Sequence, residues 1–173
     1  MSTSSENPTQ KHKILFLCTG NSARSIMAEF LMKKIGLGRF ESFSAGSHPR
    51  GEVHPLALRA LEHMKVDPQG ARSKSWDEFK GTEFDFVITV CDRAKESCPV
   101  WPGQPIAAHW GFKDPANEEI DEKIRWILFN KVAAEMSRRL ELLMCLPMEK
   151  MDRLRLAEAT QSIHEEAGGE TKA

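Results

Sequence analysis

The chain carries a cysteine and an arginine with five residues between them, in the run Cys18-Thr19-Gly20-Asn21-Ser22-Ala23-Arg24-Ser25. These residue types at this spacing suit covalent chemistry on a tetrahedral oxyanion. A loop that enters a helix N-terminus aims several unpaired backbone N–H groups into one concavity, and the helix dipole adds about half a positive charge there. The same field favours the thiolate form of a cysteine at its rim, which makes Cys18 the candidate nucleophile. Arg24, on the first helical turn, offers a planar fork of donors to two oxygens, which a lysine cannot do. Thr19, Gly20, Asn21, Ser22, Ala23, Arg24 and Ser25 are accordingly the candidate anion-binding residues. Gly20 permits close backbone approach, and Asn21 tolerates a left-handed conformation or ties the loop through its side chain. Ser22 and Ser25 bring hydroxyls for the anion or for the cysteine sulfur. The plain alternative is a buried cysteine at a strand end, followed by an ordinary Asn or Ser helix cap.

The elements on either side favour the chemical reading. Residues 13–18 (KILFLC) form a continuous apolar run of strand length, and a helical pattern follows over 23–35. Residues 40–45, 84–91 and 105–110 read as three further buried strands. Between them, 54–65 places Leu56, Ala57, Ala60, Leu61 and Met64 on one helical stripe. Residues 120–145 do the same with Ile124, Ile127, Leu128, Val132, Met136, Leu140 and Leu143. Pro147 interrupts the pattern, and a weaker stripe of Met151, Leu154, Ala157 and Ile163 resumes over 149–166. Strands alternating with helices predict an α/β fold: a single domain with a central four-stranded parallel sheet, doubly wound, with helices on both faces. Ligands of such sheets bind beyond the carboxyl ends of the strands, where Cys18 and Cys91 both fall. The expected organisation is a loose polar tail over 1–12, the domain over 13–147, a final helix over 148–167 docked on the domain or on a partner, and a frayed end over 168–173.

Composition sets the boundaries. With 40% apolar and 28% charged residues, the 173-residue chain reads as one globular domain. Its 24 Lys and Arg balance 25 Asp and Glu, a formal charge of -1, so no global positive field is present to hold a nucleic acid. No window approaches the roughly 18 apolar residues of a membrane span, and residues 1–11 do not look like a signal peptide, so a cytoplasmic setting is the default. The four cysteines at 18, 91, 98 and 145 form neither a CxxC pair nor a zinc ribbon. In a reducing compartment they are expected to do chemistry rather than hold a scaffold, Cys145 excepted, which reads as a small buried hydrophobe. Cys91, Cys98 and His109 lack the spacing of a zinc site. His12, His48, His54, His63 and His164 are scattered and read as surface or packing residues.

ILFLCTGNSARSIMAE resembles the signature of the low-molecular-weight protein tyrosine phosphatase superfamily, and VITVCDRAKESCPVWPGQPIAAHWGFKDPA resembles its arsenate reductase branch. The resemblance runs from about residue 13 to 147. It implies that Cys18 attacks arsenate held by the loop and Arg24, and that Asp114, in an Asp-Pro pair, is the general acid for the departing oxygen. Reducing As(V) to As(III) takes two electrons from thiols. Cys91, ending a strand near the loop, would attack Cys18 in the adduct, expel arsenite and leave a disulfide. In the family a third cysteine then attacks the second, and Cys98 occupies that position. A regular helix across these seven positions would hold the two Cα atoms about 10.5 Å apart, beyond the roughly 4.4 to 6.8 Å a disulfide accepts, so the segment must rearrange. DRAKES has no large apolar anchor, so that rearrangement is expected to be cheap. The oxidised pair would then pass its electron debt to a thioredoxin-like dithiol. No metal or bound cofactor is implied, and phosphate or sulfate would mimic the substrate.

Some reductases of this branch carry a cysteine just before the loop arginine, where this chain has Ala23. A glutaredoxin with glutathione is therefore the alternative electron source. The rival activity is phosphomonoester hydrolysis through a Cys18 phosphoenzyme, as in the low-molecular-weight phosphatases. Those enzymes commonly wall the substrate ring with tyrosines beside the Asp-Pro pair, and this chain has none. A third alternative is a non-catalytic oxyanion-binding module acting through its last helix. Trp101 and Trp110 read as packing or surface aromatics, and the chain as a monomer or weak homodimer.

Overall fold

A computed structural model of the protein describes residues 11–166; of the expected loose tail over 1–12 all but 11 and 12, and the whole expected frayed end over 168–173, lie outside the described residues. Four parallel strands, β1 (His12–Cys18), β2 (Phe40–Gly46), β3 (Phe86–Thr89) and β4 (Ile106–His109), form one sheet in the order β2-β1-β3-β4. β1 therefore starts at His12, inside the stretch expected to be loose, because His12 pairs with Phe40 and its N–H bonds to the Arg39 carbonyl. Ile14 to Leu17 are fully buried, as an apolar run in a covered parallel sheet must be.

Five helices flank the sheet: α1 (Arg24–Ile35), α2 (Pro55–His63), α3 (Asp92–Ser97), α4 (Glu122–Met144) and α5 (Arg153–Glu166). α1 is buried from Ser25 through Met32, and it packs on β1, β2, α2 and α4, so it needs little amphipathic contrast. α5 docks on β4 of its own domain, where Trp110, fully buried, donates its indole N–H to the Thr160 carbonyl at 2.9 Å. Trp101 is also buried, in edge contact with Phe84, so both tryptophans are packing residues.

Three burial expectations need correction. Ile124 and Ile127 are 51% and 63% exposed; the early turns of α4 instead turn Trp126 toward His63 and Arg59 of α2, and the fully buried stripe begins at Phe129. Leu154 is exposed too, with Leu156, Thr160 and Ile163 carrying the inner face of α5. Cys145 follows the end of α4 and is exposed rather than buried.

The register brings chemistry to one rim. Cys18 pairs with Gly46 on one side, Leu17 with Thr89 on the other, and Thr89 with His109. Because β1 is the central switch strand, the chain leaves β1 toward β2 and later leaves β3 toward β4. The crevice so left at the carboxyl ends is where doubly wound folds hold ligands.

Candidate active site

The loop between β1 and α1 is shaped by what takes its carbonyls. The carbonyls of Cys18, Thr19, Gly20 and Ser22 accept from the backbone N–H groups of Ser47, His48, Arg50 and His54, and Gly20 also accepts from the Ser73 hydroxyl. α1 opens without a side-chain cap: Ala23 stands at the N-cap. The N-terminal amides of α1 are thus left for a ligand, the arrangement that makes a helix start an anion site. An Asn or Ser cap, the bland reading of the motif, is not what the residues do.

Asn21 is wholly buried, in the left-handed region at φ 43°. Its amide donates to the Ser25 and Ser44 hydroxyls at 2.8 and 3.0 Å, and its carbonyl oxygen accepts from the Lys74 backbone N–H at 2.8 Å. Its backbone N–H points at the Cys18 sulfur, 3.2 Å away, and the Ser25 hydroxyl lies 2.8 Å from the same sulfur. Asn21 and Ser25, both expected among the anion-binding residues, therefore sit behind the loop against the Cys18 sulfur and do not line the cavity. Ser44 in turn donates to a Glu29 carboxylate oxygen at 2.6 Å, and the Lys74 ammonium lies 3.3 Å from that oxygen.

In front of the loop lies a cavity of about 390 Å³ lined by Cys18, Thr19, Gly20, Ser22, Ala23 and Arg24. Arg24 donates one guanidinium N–H to the Phe112 carbonyl at 3.0 Å, which fixes the fork over the opening. Cys91, at the N-cap of α3, reaches the same cavity, and the Thr19 hydroxyl lies 3.4 Å from its sulfur. Asp114 stands on the opposite wall, its carboxylate accepting from the Ala116 N–H at 2.9 Å. His48, Arg50, Asp92, Arg93 and Ala116 complete the lining, and the sequence reading did not anticipate them there. Their only advance signal is position, just past β2, just past Cys91 and just past Asp114. Among the described residues no Phe, Tyr or Trp side chain lines this cavity.

Cys98 is outside it. It follows α3, half-buried in a separate groove with Val100, Trp101 and His109. Burial pushes its thiol above the ordinary value; the neighbouring Trp101 indole, which makes no full hydrogen bond, offsets this only in part. All four cysteines are free thiols. Among the described residues no cluster of three or more His, Cys, Asp or Glu is arranged for a metal, and no helix is long and apolar enough to cross a membrane.

Residues 13–158 match the family model for low molecular weight phosphotyrosine protein phosphatase. The chain belongs to that family. Among family relatives, the arsenate reductase of Oceanobacillus iheyensis is 37% identical over 131 residues, 76% of this chain and 94% of the relative. The arsenate reductase of Bacillus subtilis is 36% identical over 128 residues, 74% of this chain and 91% of the relative. Of solved structures, an arsenate reductase in the phosphate binding state superposes with a TM-score of 0.61 at 27% identity, covering 77% of this chain and 96% of that one. A thioredoxin-dependent arsenate reductase of Corynebacterium glutamicum gives 0.62 at 27% identity, covering 80% of this chain and 62% of that one.

Proposed function

We propose that this family member reduces arsenate to arsenite, using Cys18, Cys91 and Cys98 in turn and a small dithiol protein as the final electron source. The observation that carries the reading is that Cys18 and Cys91 line one cavity with Arg24 and Asp114, while Cys98 waits a helix away. The Cys18 sulfur attacks As(V), an As–S bond forms, and the oxygen that leaves takes a proton from Asp114. Cys91 then attacks the Cys18 sulfur. The As–S bond breaks with its electron pair remaining on arsenic, so arsenite departs as two thiols become one disulfide. Cys98 attacks Cys91 and frees Cys18 as a thiolate, and an external dithiol of thioredoxin or glutaredoxin type reduces the Cys91–Cys98 bond. Arg24 and the backbone amides of the loop residues that line the cavity, Gly20, Ser22 and Ala23, hold the anion throughout. A thiol cycle of this kind suits the reducing cytoplasm.

A lining without Phe, Tyr or Trp favours an inorganic oxyanion over an aryl phosphate. Family membership supports phosphomonoester hydrolysis as the second activity, since loop, nucleophile and acid are shared. Thiol titration before and after arsenate, with mass spectrometry of the products, tests the scheme. Two thiols per chain should disappear, Cys98→Ser should yield one equivalent of arsenite and stop, and hydrolysis of p-nitrophenyl phosphate should survive both Cys91→Ser and Cys98→Ser. Turnover at the wild-type rate in both variants overturns the relay.

A further inference from the structure

Asp92, the first residue of α3, accepts a hydrogen bond from outside its own helix. Its carboxylate lies 2.9 Å from His109 Nε2, and the other ring nitrogen, Nδ1, lies 2.8 Å from the Thr89 hydroxyl. A carboxylate only accepts, so Nε2 carries the proton; Nδ1 then accepts from Thr89, and one neutral tautomer satisfies all three groups. Burial keeps His109 below its ordinary value, which agrees with that tautomer despite the pull of Asp92. The backbone of His109 is held as well: its N–H donates to the Gln161 side-chain oxygen at 2.9 Å, and its carbonyl accepts from the Gln161 amide at 3.1 Å. The ring is therefore fixed from β3 and from α5, and it presents one donor to α3.

The rest of α3 is weakly held. It has six residues, Cys91 gives it no side-chain cap, and Ala94 is its one buried residue. The His109 ring lies between its two ends, reaching Asp92 beside Cys91 on one side and lining the Cys98 groove on the other. We infer that His109 is a positioning residue that latches α3 in its helical, reduced arrangement through Asp92, and that this latch opens when Cys91 and Cys98 join. The inference rests on the relay proposed above. A helix holds the two cysteines too far apart, so the bond unwinds α3 and carries Asp92 off the ring. The latch thus stabilises the dithiol and not the disulfide, and Gln161 extends that control to α5.

The sign of the effect follows. Removing the latch destabilises only the reduced form, so the disulfide becomes harder to reduce. Asp92 is largely exposed, which limits the gain. The expected change in the exchange equilibrium with glutathione is about three- to tenfold, a potential at most about 30 mV more negative. Asp92→Ala and His109→Phe, which keeps a ring without a donor, should each produce it. In the reduced protein α3 amides should exchange faster by a similar factor. Asp92 also favours the helix as an acidic residue in the first turn, so the double variant decides: with His109→Phe present, Asp92→Ala should add little. An undiminished Asp92→Ala effect in that background, or an unchanged potential and exchange in both single variants, overturns the latch. If oxidised wild-type protein yields no Cys91–Cys98 bond by mass spectrometry, the relay itself fails, and that result is separate from the other two.

Discussion

The Ser25 hydroxyl lies 2.8 Å from the Cys18 sulfur and also accepts the Asn21 amide, and when Cys18 is a thiolate only Ser25 can donate in that contact. Ser25 is completely buried and outside the cavity lining, so its contribution falls on the Cys18 sulfur, the proposed nucleophile. A hydrogen bond to a charged group is worth about 1.5–3 kcal/mol, so Ser25→Ala should lower kcat by about 10- to 100-fold. KM for arsenate should stay within about twofold, because no group that meets the anion is touched. Steady-state kinetics check this, and a variant that raises KM while keeping kcat would place Ser25 in the binding pocket instead.

Gly46 decides whether the loop fits against β2. A Cβ built there would stand 2.5 Å from the Thr19 carbonyl oxygen and 3.0 Å from both the N and the Cβ of Asn21. Backbone atoms cannot swing aside as a long side chain does, so Gly46→Ala displaces the loop. Overpacking of this kind costs about 1–3 kcal/mol, and if that cost falls on the loop the loss of inorganic phosphate affinity is about 5- to 150-fold. Calorimetric titration with phosphate measures it; affinity equal to wild type would mean that the loop tolerates the shift.

The strand–loop–helix unit was legible because an apolar run of strand length and a 3.6-residue period stand on either side of Cys18, and both are local signals. What braces that unit was not legible. Gly46, Ser44 and Lys74 reach the loop through the parallel pairing of β2 and a bridge at Ser75, contacts made across long stretches of chain with no local trace. The early turns of α4 misled for the opposite reason. Ile124 and Ile127 keep a helical spacing, but periodicity cannot say where a helix clears the body of the domain. DRAKES looked free of anchors because its anchor is His109, seventeen positions away and on another strand.

His54 caps α2 with a ring nitrogen: Nδ1 accepts the Leu56 N–H at 3.1 Å, and the ring lies against Phe129 at 4.9 Å. Only an unprotonated Nδ1 can accept. Burial lowers the pKa of His54, with Arg125 and Arg50 adding to the shift and Asp114 and Glu118 opposing it. Burial lowers His109 and His164 as well. Below the ordinary histidine value of about 6.5 the unfolded chain therefore binds more protons than the native one, and stability rises with pH. The contribution is complete above about 6.5 and is lost as pH falls through the depressed native values. Thermal midpoints should be flat near pH 7 to 8 and drop below pH 6.5. His54→Asn, which keeps a capping oxygen, should reduce that slope. An unchanged slope would assign the pH dependence to His109 and His164.

A buried ion pair lies behind the loop. Lys74 and Glu29 keep 7% and 8% of their side chains exposed, with Nζ and Oε1 3.3 Å apart. Burial pulls the Lys74 pKa down more than Glu29 holds it up, a sign that the ammonium pays heavily for its place. Removing one partner of a buried pair typically costs about 3–5 kcal/mol, because the other charge is left uncompensated. Lys74→Met should fall near the lower end, about 3 kcal/mol, since Glu29 keeps Lys33 at 3.1 Å and the Ser44 hydroxyl. The Lys74 backbone N–H still reaches Asn21, so the loop should keep its shape and phosphate affinity should change less than stability does. Denaturant unfolding and phosphate titration on the same variant separate the two. Full stability with lost phosphate binding would instead make Lys74 part of the anion site from behind.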